Sequence, residues 1–325
     1  MVNQFRGLSL KALACAVPSS VKEVADYEAR FGKDKVDRFR EVVGIQAFPV
    51  APAGVKTSDL AVAAAEKLFD SHAIARETIG AVLFITQTPD AVAPATSALL
   101  QARLHLPTTV LALDINQGCA GFLVGMLTAA HLLASPTMQN VLVLGGDTLS
   151  PCVDQDDPAT AMLFGDAGFA AVFGRDPTAT AWHIASGVSA SDAISIPHGQ
   201  PFRMSGTEVF NFTITKVPEQ ILEVMQAAQI SPDALDFLLL HQANAFIVRQ
   251  VARMCRLPEA KVPCRIAQRG NTSVSSLPLL LCDLKAEGLS GKKQVVLSAF
   301  GVGLTWVSAA LTIDFDAFQP PILLN

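Results

Sequence analysis

"CAGFLVGMLTAAHLLA", Cys119 to Ala134, is the stretch on which the fold turns. Wound as a helix it carries apolar or small side chains on nearly every side, so it has no solvent face and belongs inside the molecule. Continuously apolar strands stand on both sides of it: "AVLFITQ" (Ala81 to Gln87) and "TVLALDI" (Thr109 to Ile115) before, "NVLVLGG" (Asn140 to Gly146) and "GFAAVFG" (Gly168 to Gly174) after. Strands of this kind, separated by helices such as "ATSALLQARL" (Ala95 to Leu104), indicate sheets covered on both faces.

The second half of the chain repeats the order. "FLLLHQ" (Phe237 to Gln242) answers the first strand, "AFIVRQVARMC" the next helix and "KVPCRI" (Lys261 to Ile266) the second strand. "SVSSLPLLLCDLKAEG" answers the Cys119 helix, and "QVVLSAFG" and "LTWVSAALTID" close the half. The simplest account is an internal duplication of βαβαββ halves, residues 1–174 and 175–325, joined near the linker-like "GRDPTATAWH" (Gly174 to His183). Packed face to face, two such halves give an α/β fold of five layers, αβαβα, with a helical layer at the centre.

Composition bounds the function. The chain has 325 residues, 50% of them hydrophobic, which is enough for a large core. Only 16% are charged and the net charge is −5, which argues against general affinity for nucleic acid. The six cysteines form no CxxC pair, so neither a zinc ribbon nor a disulfide scaffold is supported, and a reducing cytoplasm is expected. Near the N-terminus, "ALACAV" after Lys11 is an apolar stretch of about six residues, short of the roughly 7–15 of a signal peptide; it reads as a strand. No apolar run approaches the roughly 20 residues of a membrane span.

Three residues fall at equivalent ends of the two halves, where α/β sheets present chemistry. Cys119 stands at a strand-to-helix junction, where helix N–H groups stabilise a thiolate and can hold an oxyanion. A small buried structural cysteine is the competing reading, and composition leaves it open. His241 ends the first strand of the second half. Asn271, in "QRGNTSVSS", precedes the helix that answers the Cys119 helix; alone it reads equally as a cap or turn residue. The three converge if the halves pack about a pseudo-twofold axis. His72, His105, His131, His183 and His198 show no metal spacing and are assigned to surface or packing. "FGDAG" around Asp166 reads as a tight turn, and the Gly301–Gly303 turn as a second source of oxyanion donors.

In this order, "CAGF", "LFGDAG", "SGTEVF", "HQAN", "RGNTS" and "AFGVGLTW" resemble the β-ketoacyl-acyl carrier protein synthase III branch of the thiolase superfamily over nearly the whole length. The resemblance implies a thiolase-like αβαβα fold, a homodimer across the sheet of the first half, and a Cys-His-Asn site. By position it implies Cys119 as acyl acceptor, His241 and Asn271 as binders of the malonyl thioester carbonyl, and the backbone N–H groups of Cys119 and Val302 as the oxyanion hole. It further implies an acyl pocket beside Ala93 and Phe300, acyl carrier protein as partner, and no metal or redox cofactor. Arg249, Arg253 and Arg256, at i, i+4 and i+7 of one helix, are the candidate docking face for the acidic carrier.

The chain also departs from that family. A Trp and an Arg that usually clamp the nucleotide of CoA correspond to Arg38 and Pro158, and an Arg before the "GI" turn is Val42. Phe246 replaces an Arg that commonly meets the carrier protein. Ala93 stands where a Phe often closes the acyl pocket across the dimer interface. Decarboxylative condensation of an acyl thioester with malonyl-carrier protein is the first reading; transfer of the acyl group to a different nucleophile is the second. A non-catalytic paralogue is expected to lose the triad, and a serine hydrolase needs a GxSxG elbow that is absent here.

Overall fold

The computed structural model describes residues 1–72 and 74–325; the side chain of His72, expected at the surface or in packing, lies outside the described residues. Two sheets carry the architecture. The first is six-stranded, built from β2 (Leu8–Pro18), β3 (Ile79–Ile85), β4 (Leu111–Ile115), β5 (Asn140–Asp147), β6 (Ala167–Arg175) and β11 (Ile322–Leu324) in the order β11-β2-β6-β5-β3-β4. The second is five-stranded, from β1 (Val2–Phe5), β7 (Trp182–Val188), β8 (Phe237–Leu240), β9 (Lys292–Gly301) and β10 (Thr305–Asp314) in the order β1-β7-β10-β9-β8. The chain ends cross over: β1 pairs with β7 of the second sheet, and β11 with β2 of the first.

Seven helices are used below: α1 (Lys33–Val43), α2 (Thr57–His72), α3 (Thr96–Arg103), α4 (Gly121–Leu132), α5 (Gly206–Ala227), α6 (Ala245–Met254) and α7 (Ser276–Ala286). The Cys119 helix, α4, and its counterpart α7 lie between the sheets. Phe122, Leu123 and Met126 share one core with Leu277, Leu280 and Leu281 and with inward residues of both sheets. On the outer face of the first sheet, Leu60, Ala64 and Leu68 of α2 and Leu100 of α3 cover Val82, Phe84, Leu142 and Leu144. On the outer face of the second, Val217 and Ile221 of α5 and Val248 and Val251 of α6 cover Leu238, Leu240 and Val296. The result is the five-layered thiolase-like order αβαβα.

Burial explains the sequence pattern. Every residue of β5 is buried, which is why "NVLVLGGD" shows no alternation. A Cβ on Gly125 of α4 would stand 2.3 Å from Ile85 Cδ1 and 2.9 Å from Val143 Cγ1, so the helix lies against the sheet at a distance only glycine permits there.

Two details correct the expected βαβαββ units. Each half opens with a further strand and helix, β2-α2 and β7-α5. The expected strand at Lys261–Ile266 does not form. Pro263 has no N–H to give, the Val262 N–H goes to Glu259 O, and the Arg265 N–H goes to the Gln242 side chain at 2.9 Å. With its donors committed elsewhere, the segment has no ladder to offer β8.

Candidate active site

The loop between β4 and α4 delivers Cys119, two residues ahead of the first helical residue, Gly121. His241 follows directly on β8, its N–H anchored on Ser298 O at 2.8 Å. Asn271 precedes α7, its N–H on Leu163 O at 2.8 Å and its carbonyl accepting from the Gly165 N–H. All three side chains line one cavity, walled otherwise by apolar groups including Leu163, Phe164, Phe202, Val209, Ile247 and Phe300. Sequence placed them at equivalent ends of two halves, and the structure brings them together.

Each is oriented by a neighbour. The Ser273 N–H donates to Asn271 Oδ1 at 2.9 Å, which turns the Asn271 amide N–H groups toward the cavity. His241 Nδ1 is hydrogen-bonded to the Ser276 hydroxyl, and the ring meets Phe300 edge-on, centroids 5.4 Å apart. Burial alone holds the imidazole neutral, its pKa lowered from 6.5 to about 3. Asn244 of "HQAN" plays a different part and caps α6, accepting from the Ile247 N–H at 2.7 Å.

The environment of Cys119 also contains an opposing effect, burial. Cys119 is half-buried and opens to the cavity, and desolvation by its surroundings pushes the thiol up to about 12. The Ser273 hydroxyl, 3.8 Å from Sγ, pulls in the opposite direction, and the charge of Asp147 adds to the rise.

Gly301, at the end of β9, abuts Cys119: a Cβ there would lie 2.8 Å from Cys119 Cβ and 3.3 Å from its backbone nitrogen. Val302 lines the same cavity. Asp166, expected as a plain turn residue, is buried and accepts from the Ala51 N–H, the Ser150 N–H and the Ser150 hydroxyl at 2.8, 3.0 and 2.6 Å, tying together two loops near the site.

Outside the cavity, Ala93 is exposed and does not line the pocket of its own chain. Arg249 and Arg253 lie on α6, but Arg256 does not: the helix ends at Met254, and Arg256 has a left-handed φ of 54°. The single helical face expected for three arginines reduces to two. Arg38 and Pro158 are exposed, as is Val42. Phe246 stacks on Phe210, centroids 5.4 Å apart. His105, His131 and His198 are exposed, and His183 sits half-buried against Gln4. Among the described residues, no helix is long and apolar enough to cross a membrane.

Comparison with known proteins shows the family. The profile described as 3-oxoacyl-[acyl-carrier-protein (ACP)] synthase III matches residues 113–193, and its C-terminal counterpart matches residues 225–313. The chain is 36% identical over 275 residues to a β-ketoacyl-[acyl-carrier-protein] synthase III of Streptococcus pneumoniae (strain Hungary19A-6), covering 79% of this chain and 85% of that one. The chain belongs to the 3-oxoacyl-[acyl-carrier-protein] synthase III family. Among solved structures, a 3-oxoacyl-(acyl-carrier protein) synthase from Burkholderia xenovorans LB400 superposes with TM-score 0.96 at 31% identity, over 100% of this chain and 99% of that one. The Thermus thermophilus synthase III gives 0.86 at 33% identity, over 93% and 98%.

Two residues at the site carry no clear mark in the sequence. Asp147, just past the strand read as Asn140 to Gly146, and Ser273, in the polar run before α7, sit beside Cys119. The signal for Ser273 was the density of hydroxyls in "NTSVSS" directly before an apolar helix, a place where buried polar groups need partners.

Proposed function

We propose that this chain is a β-ketoacyl-[acyl-carrier-protein] synthase III-type acyltransferase that loads an acyl group from a thioester onto Cys119 and condenses it with malonyl-carrier protein. The observation that carries the reading is the convergence of Cys119, a neutral His241 and Asn271 on one apolar cavity. Attack of the Cys119 sulfur on a thioester exchanges one thioester for another, and N–H groups of Cys119 and Val302 receive the oxyanion. His241 and Asn271 then present hydrogen-bond donors to the malonyl carbonyl. As CO2 leaves, they hold the enolate charge, and the carbanion attacks acyl-Cys119 to form the C–C bond. A neutral imidazole suits that role, since it donates without trapping the enolate by full protonation.

A homodimer across β4 supports the rest of the site. β4 is the edge strand of its sheet and exposes Leu111 and Leu113, and the neighbouring loop exposes Val92 almost completely. An apolar open edge of this kind is covered in stable proteins. Dimerisation there carries the loop bearing Ala93 toward the opposing acyl pocket, with Phe300 on the near side. Arg249 and Arg253 offer the acidic carrier protein its cationic contact. Intact-mass measurement after exposure to octanoyl-carrier protein tests the reading: an octanoyl adduct on Cys119, discharged by malonyl-carrier protein with release of CO2, is the expected result. An adduct discharged only by an amine or alcohol would move the conclusion to transfer without condensation.

A further inference from the structure

Asp147 ends β5 fully buried. Its Oδ1 accepts from the Gln87 N–H at 2.7 Å and the Thr86 hydroxyl at 3.0 Å, while Oδ2 is buried with no hydrogen-bond partner among the described residues. A half-satisfied carboxylate in the interior is costly and calls for a reason. Packed against this end of the strand is the short 3-10 turn Ser273–Ser275. Ser273 holds a left-handed φ of 48°, a conformation that residues other than glycine seldom adopt and that concentrates at functional sites. Its hydroxyl lies 3.8 Å from Cys119 Sγ on one side. On the other it is near enough to the Asp147 carboxyl to lower its pKa, without closing a hydrogen bond to Oδ2 in the free chain.

We propose that Ser273 and Asp147 form a proton relay for Cys119, Ser273 touching the thiol and Asp147 acting through it. The proposal rests on the reading of Cys119 as acyl acceptor. As the sulfur attacks the thioester carbonyl, the S–H bond breaks and its proton passes to Ser273 Oγ, while the Ser273 hydroxyl proton passes to Asp147 Oδ2. When the tetrahedral intermediate collapses, the C–S bond to the donor breaks and its electron pair goes to the departing thiolate. The proton returns by the same path in reverse to that sulfur. No net proton is gained or lost, and Asp147 ends as a carboxylate.

The surroundings favour this path over His241. The imidazole is held neutral with a pKa near 3, which makes it a poor acceptor. Burial raises Asp147 to about 6, so it is charged at neutral pH and takes a proton more readily than an ordinary carboxylate. Its charge also opposes the Cys119 thiolate, and protonation removes that opposition. The titratable groups near this end of β5 are Cys119 and Cys152, with Asp166 next to Cys152. Thr86, Gln87 and Thr88 from β3 and its following loop, Thr57 from α2 and Ser273 are uncharged.

The test uses the full chain, octanoyl-CoA and octanoyl-carrier protein in single-turnover acylation followed by intact mass from pH 5 to 9, and iodoacetamide alkylation of Cys119 over the same range. Asp147→Asn and Ser273→Ala should each slow octanoylation by about 100-fold at pH 7. The wild-type rate should fall below pH 6, and Asp147→Asn should lose that inflection. Ser273→Gly, which suits the left-handed backbone but has no hydroxyl, should lose as much rate as Ser273→Ala. Asp147→Asn should also speed iodoacetamide alkylation of Cys119 across that range, because a charge opposing the thiolate is gone. Variants that acylate at the wild-type rate with an unchanged inflection overturn the relay, as does an unchanged alkylation rate in Asp147→Asn. No octanoyl-Cys119 in the wild type with either donor overturns the acyl-acceptor reading itself, and the relay with it.

Discussion

His241 Nδ1 is hydrogen-bonded to the Ser276 hydroxyl, and this contact decides what the ring presents to the cavity. In a neutral imidazole one nitrogen donates and the other accepts. For Nε2 to carry the proton and donate to a substrate carbonyl, the Ser276 hydroxyl must donate to Nδ1. Ser276→Ala should therefore lower condensation by about 10- to 100-fold, the usual scale for losing an orienting partner. His241→Ala and Asn271→Ala remove a donor outright and should lower condensation by about 10²- to 10³-fold. Cys119→Ala should abolish acylation, whereas labelled acyl-enzyme should still form in the other three. Normal condensation by His241→Ala or Asn271→Ala would show that their roles are misassigned.

Two buried groups give stability an unusual pH dependence. His241 has a pKa near 3 when folded and an ordinary value of 6.5, so between these the unfolded chain binds the extra proton and stability falls as pH falls. Asp147 is raised from 3.8 to about 6; between these the folded chain binds the extra proton, and stability falls as pH rises. The slopes oppose each other from about 3.8 to 6. Asp147→Asn removes one of them, so its stability should decline more steeply toward acid, by up to about 1.4 kcal/mol per pH unit. Urea unfolding of both proteins at pH 4, 5 and 6 measures the difference. Parallel slopes would mean that Asp147 has an ordinary pKa.

The fold was legible where burial left no ambiguity. In β5 and α4 the absence of periodicity is itself the message, since an element buried all round has no polar face to mark. Lys261–Ile266 misled for the complementary reason: its alternating apolar residues suit a strand, but Pro263 and the capture of the Arg265 N–H by Gln242 are tertiary facts that local pattern does not contain. At the site, Cys119, His241 and Asn271 were visible because duplication put them at matching ends. The thiol's raised pKa was not visible. Helix-terminus stabilisation is a local effect, whereas desolvation depends on how the halves close over the sulfur. Asp147 was hidden because an aspartate after "LGG" looks like an exposed turn until the surrounding chain buries it.

Gly301 should tolerate no side chain. Its Cβ would press on Cys119 Cβ at 2.8 Å and on Sγ at 3.4 Å, with backbone nitrogen at 3.3 Å, so relief requires moving the nucleophile itself. Displacement of a reacting atom by about 1 Å can cost on the order of 100-fold. Gly301→Ala should lose about that much in acylation rate, and overpacking should destabilise it by about 1–3 kcal/mol. Single-turnover acylation and thermal unfolding measured on the same sample separate the two effects. Full acylation activity would show that the loop shifts harmlessly.

Arg249 is half-buried and Arg253 exposed on α6, one turn apart and facing the same way. With a net charge of −5, the chain needs a local cationic patch to attract an acidic carrier. Reversing both to Glu should raise KM for octanoyl-carrier protein while sparing a small octanoyl thioester mimic that lacks phosphate. Arg256, beyond the helix end, should matter less than either. Equal losses with both donors would assign the arginines to the structure of α6 instead.

The last prediction concerns the donor. The positions that would clamp a nucleotide carry Arg38 and Pro158, both exposed, and Val42, which is 42% exposed. Pro158 has no charged fork, and Arg38 lacks the broad apolar face of an indole. Where an arginine would stand on α6, Phe246 stacks on Phe210 and presents an apolar surface beside the cavity that Val209 and Ile247 line. Loss of an aromatic stack costs about 1–3 kcal/mol, or roughly 10- to 100-fold in affinity, so CoA should bind weakly. Added acyl methylenes return about 0.8 kcal/mol each where they are buried, and alanine at position 93 leaves them more room than a Phe. Cys119 acylation should therefore run fastest with octanoyl-carrier protein, then octanoyl-CoA, and slowest with acetyl-CoA. Side-by-side single-turnover rates decide it, and fastest acylation by acetyl-CoA would show that other contacts have replaced the missing clamp.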